Sequence, residues 1–263
     1  MERIGQHVAL ITIDRPDKAN SLDPATLRAL AEDFQQVAAD DGIRCAVLTG
    51  AGDRVFCAGM DLKRTIVVAR QLAAGERIDE ADFEGLRSVS TATLAGFDLK
   101  TPLICAINGH ARGAGFDLML ASELRYAVPS ASFALEEVAI GQFPTGNAAV
   151  LLARQIGWVH AHDLLLTAKP IDAEQALRVG LINAIVEPGK LMDVALAKAE
   201  VIANNAPLAV AATRAAVREL LSMPLPEAYE RQEQIGKQLR TTEDAREGQR
   251  AFADKRAPVF HGR

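Results

Sequence analysis

The chain has 263 residues, 49% hydrophobic, 24% charged and 5% aromatic, which excludes a disordered or fibrous protein and fits one large packed domain with a small appendage. A formal net charge of −5 gives no overall basic footprint, so nucleic acid is set aside as a partner, although a local group of Arg and Lys could still hold a polyanion. Met1 to His7 carries charge and no apolar h-region, and no stretch approaches the roughly 18 to 20 apolar residues that span a bilayer; no membrane partner and a cytoplasmic location are expected.

In chain order, Val8-Ala9-Leu10-Ile11-Thr12-Ile13 is rich in β-branched residues and stops at Asp14-Arg15-Pro16-Asp17, a strand and its turn. Asp23 and Pro24 suit the cap and first position of a helix in which Leu27, Leu30, Ala31, Phe34 and Val37 recur at helical spacing, ending near Asp40-Asp41-Gly42. Cys45 to Thr49 and Leu103 to Ile107 are short, nearly continuous apolar runs, as expected of strands covered on both faces. Residues 61–100 are polar, partly helical and poorly patterned, and read as a flap over a site. The run Asn108 to Gly115 leads into an apolar helix, Phe116 to Ser122, and then a strand, Leu124 to Val128, so strand and helix alternate as in an α/β core. From about Leu191 the chain reads as wholly helical, with Pro207 opening one helix and Met223-Pro224-Leu225-Pro226 separating it from the next.

Cys45, Cys57 and Cys105 are an odd set without metal-ligand spacing, and two lie inside apolar runs; they are expected to be reduced, buried and small, with no metal.

Two loops place small residues directly after predicted buried strands: Val55 to Lys63, and Gly109 to Asp117. Small residues let a ligand approach the main chain, and a loop opening a helix leaves free N–H donors that favour developing negative charge. Gly109 to Asp117 does not match a phosphate loop, which needs a lysine followed by serine or threonine at its end. Asp117 stands on an otherwise apolar helix and therefore faces protein or a pocket, and Glu137 follows twenty residues later beside Glu136.

Five stretches, in order along nearly the whole chain, resemble the crotonase (enoyl-CoA hydratase/isomerase) family. They are Ile11 to Pro16 with Lys18 to Leu22; Phe56 to Lys63; Pro102 to Gly109 running into Arg112 to Leu118; Phe133 to Glu137 with Gly141 and Pro144; and Glu243 to Gly248 with Ala251-Phe252, Lys255-Arg256 and Pro258. The resemblance implies an α/β fold, a crotonase-type spiral of repeated ββα units over residues 1–195, and a helical C-terminal region over 196–263 that packs subunits into a homotrimer or dimer of trimers. It implies that the backbone N–H groups of Met60 and Ala114 form an oxyanion hole, where many members carry alanine and glycine, so the pocket is narrowed while the donors remain. Asp117 and Glu137 fall where the family's hydratases carry two glutamates, and Asp117 is one methylene shorter, a reach reduced by about 1 Å that bears on proton transfer. Glu136 replaces a frequent proline.

For coenzyme A the resemblance implies contacts from Lys18, Ala19, Ala58, Asp61, Leu62, Lys63 and Gly113, and from Phe252 and Lys255 of the same or a neighbouring subunit; Arg64 is a further candidate for its phosphates. The implied activity is reversible addition of water to a 2-enoyl-CoA thioester, with no cofactor beyond the coenzyme A of the substrate. An isomerase using Glu137 alone, a specialised hydroxyacyl-CoA dehydratase and a non-catalytic acyl-CoA binder stay open as alternatives.

Overall fold

The structure, a computed structural model, describes residues 1–263. Glu2–Ile4 (β1) pairs antiparallel with Val8–Ile13 (β2), and after Pro24–Ala39 (α1) the chain returns as Cys45–Gly50 (β3), parallel to β2. From there it alternates between two sheets. Val55–Cys57 (β4) opens the second sheet and is followed by Thr65–Ala73 (α2), Glu80–Arg87 (α3) and Val89–Ala92 (α4). Leu103–Ile107 (β5) rejoins the first sheet, His110–Arg112 (β6) the second, and Ala114–Ala121 (α5) closes the unit. Leu124–Ala127 (β7), Ser132–Ala134 (β8), Ala148–Ile156 (α6) and Trp158–Thr167 (α7) repeat the pattern. Ile171–Asp172 (β9), Ala173–Arg178 (α8) and Ala184–Ile185 (β10) finish it. The resulting orders are β1-β2-β3-β5-β7-β10 and β4-β6-β8-β9. Because each ββα unit gives one strand to either sheet before its helix, the chain winds as the expected spiral.

The helix start at Pro24 follows its predicted chemistry: Asp23 accepts the Thr26 N–H at 2.8 Å and proline sits where its missing N–H is harmless. Every residue of β3 and β5 is buried. All of α5 is buried too, an apolar helix enclosed on every side with Asp117 as its single charge.

Residues 61–100 are more integrated than a flap would be. Gly85 of α3 packs so closely on Pro24 that a Cβ there would overlap its backbone, and the Thr93 carbonyl accepts from Asn147 Nδ2 at 2.9 Å. The expected boundary at residue 195 falls inside Leu191–Ala203 (α9), whose Ala195, Ala199 and Ala203 belong to the main core. Beyond Ala203, Pro207–Leu220 (α10), Leu225–Leu239 (α11) and Glu243–Ala253 (α12) bury only Arg214, Asp244 and Ala251. The last residues fold back: Asp244 accepts the N–H groups of His261 and Gly262, both at 2.8 Å, and Arg44 donates to the Phe260 carbonyl at 3.0 Å.

Candidate active site

The turn Pro16 to Asn20 is held against the first loop by main-chain bonds, with Ala58 N–H donating to Ala19 O at 3.1 Å. Ala19 adopts a left-handed conformation at φ 51° to end the turn. Leu22 then forms a parallel bridge with Met60: its N–H donates to Gly59 O at 2.8 Å and its carbonyl accepts the Asp61 N–H at 3.0 Å. In that pattern Leu22 engages the residues flanking Met60, so the N–H of Met60 points away from the bridge. It donates to no acceptor in the chain. Arg15 braces the same loop, pairing with Asp61 at 3.3 Å and Asp23 at 3.0 Å while donating to the Ser21 carbonyl at 2.5 Å.

The second loop supplies another free donor. Gly113, at φ 46° and ψ −121°, makes the turn out of β6, and Ala114 is the first residue of α5, where the helix offers its N–H no partner. The Ala114 N–H also donates to nothing in the chain. The loops touch: a Cβ on Gly59, itself at φ 87°, would stand 2.9 Å from Arg112 O and 3.2 Å from Ala114 N. Two unpaired amides therefore flank one contact, and the positive end of a buried helix dipole reinforces the second. At the other end of α5, the buried Arg125 guanidinium donates to the carbonyls of Met119 at 2.6 Å, Leu120 at 3.2 Å and Ser122 at 3.0 Å. Sequence reasoning passed over Arg125, whose one signal was a cation inside an apolar strand.

Both carboxyls come to this place. Glu137 lies half-buried on a 3-10 turn over Glu137–Ile140, and a Cβ on Gly113 would stand 3.3 Å from its Oε1. Its Oε2 is buried and accepts no hydrogen bond, one of only two such side-chain atoms in the protein. Burial raises the Glu137 pKa, and the charge of Glu136 adds to that while its own N–H opposes it. Asp117 is 5% exposed; Oδ1 accepts the Ala148 N–H at 2.7 Å, at the start of α6, and its backbone carbonyl accepts from Asn147 Nδ2 at 3.0 Å. Oδ2 lies against Gly146, where any Cβ would overlap it. Burial pushes Asp117 up to about 6 against the pull of the Ala148 N–H, and the Glu137 charge raises it further, which places the two carboxyls within electrostatic reach. Gly146 and Ala148 carried no sequence signal, because their importance lies in being small and in offering a backbone N–H.

The other predicted residues divide into two groups. Lys18, Ala19, Ala58, Asp61, Leu62, Lys63 and Gly113 all lie on the two joined loops or the turn docked against them. Lys18 and Lys63 are exposed and make no ion pair, whereas Arg64 is tied to Asp82 at 3.1 Å. The Asp61 carboxyl is engaged within the protein: hydrogen bonds from the Lys63 N–H and Arg15 outweigh its burial and hold its pKa below the usual value. Phe252 and Lys255 are exposed near the end of α12, and no hydrogen bond or ion pair of that helix reaches either loop.

The three cysteines are buried and free, with burial pushing Cys45 and Cys57 up to about 12 and Cys105 to about 11, so none is poised as a thiolate. A cavity of about 250 Å³ lies instead where the chain enters the central strands β3 and β5, lined by Asp40, Arg44, Thr101 and His261. No buried unpaired side-chain atom faces it, so the chemistry rather than the concavity locates the site.

Known proteins resemble this chain over its whole length. The sequence model of the enoyl-CoA hydratase/isomerase family matches residues 3–263. The chain is 40% identical over 263 residues to the enoyl-CoA hydratase EchA19 of Mycobacterium tuberculosis, covering 100% of this chain and 96% of that protein. It is 39% identical over 259 residues to the (E)-benzylidenesuccinyl-CoA hydratase of Thauera aromatica, covering 98% and 97%. The crystal structure of an enoyl-CoA hydratase from Bacillus anthracis superposes with a TM-score of 0.89 at 33% identity, covering 100% of this chain and 98% of that one. The chain belongs to the enoyl-CoA hydratase/isomerase family, within the crotonase superfamily.

Proposed function

We propose that this protein is an enoyl-CoA hydratase that adds water reversibly across the double bond of a 2-enoyl-CoA thioester. The observation that carries this reading is a buried, unpaired Glu137 carboxyl oxygen beside two unpaired amides on abutting loops. The Met60 and Ala114 N–H groups receive the thioester oxygen, which becomes anionic as water adds at Cβ; such donors are typically worth about 3 to 4 kcal/mol each. Glu137, over Gly113 and next to the Ala114 amide, is in reach of Cα and delivers its proton there. Asp117, one helical turn further on, lies toward Cβ and takes the proton of the attacking water. The reading requires one proton on the pair, one carboxyl serving as acid while the other is base, and the Glu137 charge that raises the Asp117 pKa favours it. The reaction needs no group beyond the substrate's own coenzyme A, whose phosphates Lys18 and Lys63 are free to meet.

A second reading has its own support. The bond from the Ala148 N–H to Asp117 Oδ1 helps to cap α6, and with Asp117 so engaged Glu137 alone would shuttle a proton, as double-bond isomerisation requires. Incubation with crotonyl-CoA decides between them: loss of the conjugated thioester absorbance supports hydration. No loss with crotonyl-CoA, but migration of the double bond in a 3-enoyl-CoA, supports isomerisation; tight binding without either reaction supports a non-catalytic acyl-CoA binder. Glu137→Gln should lower kcat about a hundredfold with KM nearly unchanged, and full turnover would remove Glu137 from the mechanism.

The assembly proposed is a homotrimer or dimer of trimers in the cytoplasm. Trp158, Val159, Leu166 and Leu221 are each at least 69% exposed, apolar surface suited to subunit contacts, and Phe252 and Lys255 then reach the coenzyme A of a neighbouring subunit. Light scattering of the purified protein tests this, and a monomer would contradict it.

A further inference from the structure

Arg112 occupies an unusual position between the two catalytic loops. Its backbone leads into Gly113, over which Glu137 Oε1 lies, and its carbonyl backs onto Gly59 of the first loop. Paired with Ala134 across the β6–β8 register, it spans β8 with its guanidinium: Nη2 donates to Ser132 Oγ at 2.8 Å, and Nε lies 3.5 Å from Glu136 Oε1. Nη1 is buried without a partner, the second of the protein's two such atoms, so Glu136 is the only anion this cation meets. The segment Ser132 to Glu136 leads straight into the turn that carries Glu137.

We propose that Arg112 is a positioning residue for Glu137: by gripping Ser132 and Glu136 it fixes the turn that sets the Glu137 carboxyl over Gly113, and it offsets the Glu136 charge beside that carboxyl. The proposal rests on the reading of Glu137 as the acid. The charged and titratable groups around Glu137 are Asp117 from α5, Arg112 from β6, Glu136 on its own segment, and His160, His162 and Asp163 on α7, which packs against the turn. His110 joins the network through Ser132, with Nδ1 at 2.8 Å from Oγ, and its pKa is lowered by burial and then by the Arg112 charge. Burial is the leading cause of the raised Glu137 pKa, and Glu136 is the charge that raises it further. On this proposal the Arg112–Glu136 pair is balanced around the acid: losing the cation should raise the Glu137 pKa, losing the anion should lower it, and losing both should leave it nearly in place.

The test is the pH dependence of kcat/KM for hydration of a 2-enoyl-CoA by the full-length protein and by R112Q, E136Q, R112Q/E136Q and R112K. The basic limb, where Glu137 loses its proton, should move up by roughly half a pH unit in R112Q and down by a similar amount in E136Q, and return to wild type in the double variant. R112Q should also lower kcat about tenfold with KM within about twofold, and R112K should recover most of that loss. Limbs that stay put in both single variants, or that move the same way, overturn the proposal. Should R112Q fail to fold, E136Q and R112Q/E136Q decide it: a limb lowered in E136Q and restored in the double variant supports the role of Arg112, and a limb lowered equally in both overturns it. E137Q run alongside separates the two readings. An active E137Q removes Glu137 and this proposal with it, whereas an inactive E137Q with unmoved limbs elsewhere overturns the role of Arg112 alone.

Discussion

Ala114 and Asp117 lie three residues apart on α5, so an unpaired amide and a buried carboxyl rise from the same side of one helical turn. The proposed oxyanion donor and the proposed proton-handling carboxyl are therefore held relative to each other by helix geometry rather than by flexible side chains. Replacing Ala114 by proline separates fold from function. The Ala114 N–H has no acceptor and stands at the first helical position, so proline removes no internal hydrogen bond and should change stability by no more than about 1 kcal/mol. Hydration should nevertheless fall roughly 10²- to 10³-fold in kcat, measured with saturating crotonyl-CoA beside a thermal melt.

Asp117→Asn should stabilise the protein in a pH-dependent way. The folded pKa of about 6 lies above the unfolded value near 3.8, so the proton-linked contribution of Asp117 favours the fold below about pH 4 and is lost as pH rises through 6. At pH 7 to 8 the buried carboxylate thus costs on the order of 3 kcal/mol relative to a neutral group. Asparagine keeps an oxygen for the Ala148 N–H, so its melting temperature should exceed wild type at pH 8 and converge with it near pH 4. Hydration should drop at least tenfold, because the water then lacks its base.

The charge shared by Asp117 and Glu137 also predicts a bell-shaped pH profile for kcat/KM with two apparent pKa values that belong to the pair. Removing either carboxyl should leave a profile with one limb, read from initial rates in a constant-ionic-strength buffer series. Two limbs surviving in E137Q would detach the profile from this pair.

Arg125→Leu should destabilise the chain by roughly 3 kcal/mol, read by urea unfolding, because the carbonyls at the end of α5 and Leu181 O would lose their donor inside the core. Burial lowers the Arg125 pKa only to about 10, so the side chain stays cationic at neutral pH and opposes the negative end of the helix dipole.

The sequence was most informative where local chemistry decides the structure. Asp23 and Pro24 announce α1, the apolar runs at Cys45 and Leu103 become fully buried strands, and the small-residue loops do bear the free amides. Periodicity placed the start of the second helix at Phe116, whereas it begins at Ala114, because alanine and glycine at its first turn carry no amphipathic signal. That difference of two residues decides which amide is left unpaired. The alternation of strands between two sheets is non-local and leaves no mark in short windows. Nor could spacing reveal that Asp61 is held by Arg15, that Asp117 is partnered by Ala148, or that Glu136 pairs with Arg112 on another strand.

In the proposed mechanism the Met60 and Ala114 amides grip the thioester oxygen, and isotope-edited infrared spectroscopy of a bound, ¹³C-carbonyl-labelled unreactive acyl-CoA measures that directly. Hydrogen bonding by two donors predicts a carbonyl band moved to lower wavenumber than in free acyl-CoA, and a smaller displacement in A114P. A band at its free position in the wild-type complex, or a displacement that A114P leaves intact, would contradict it.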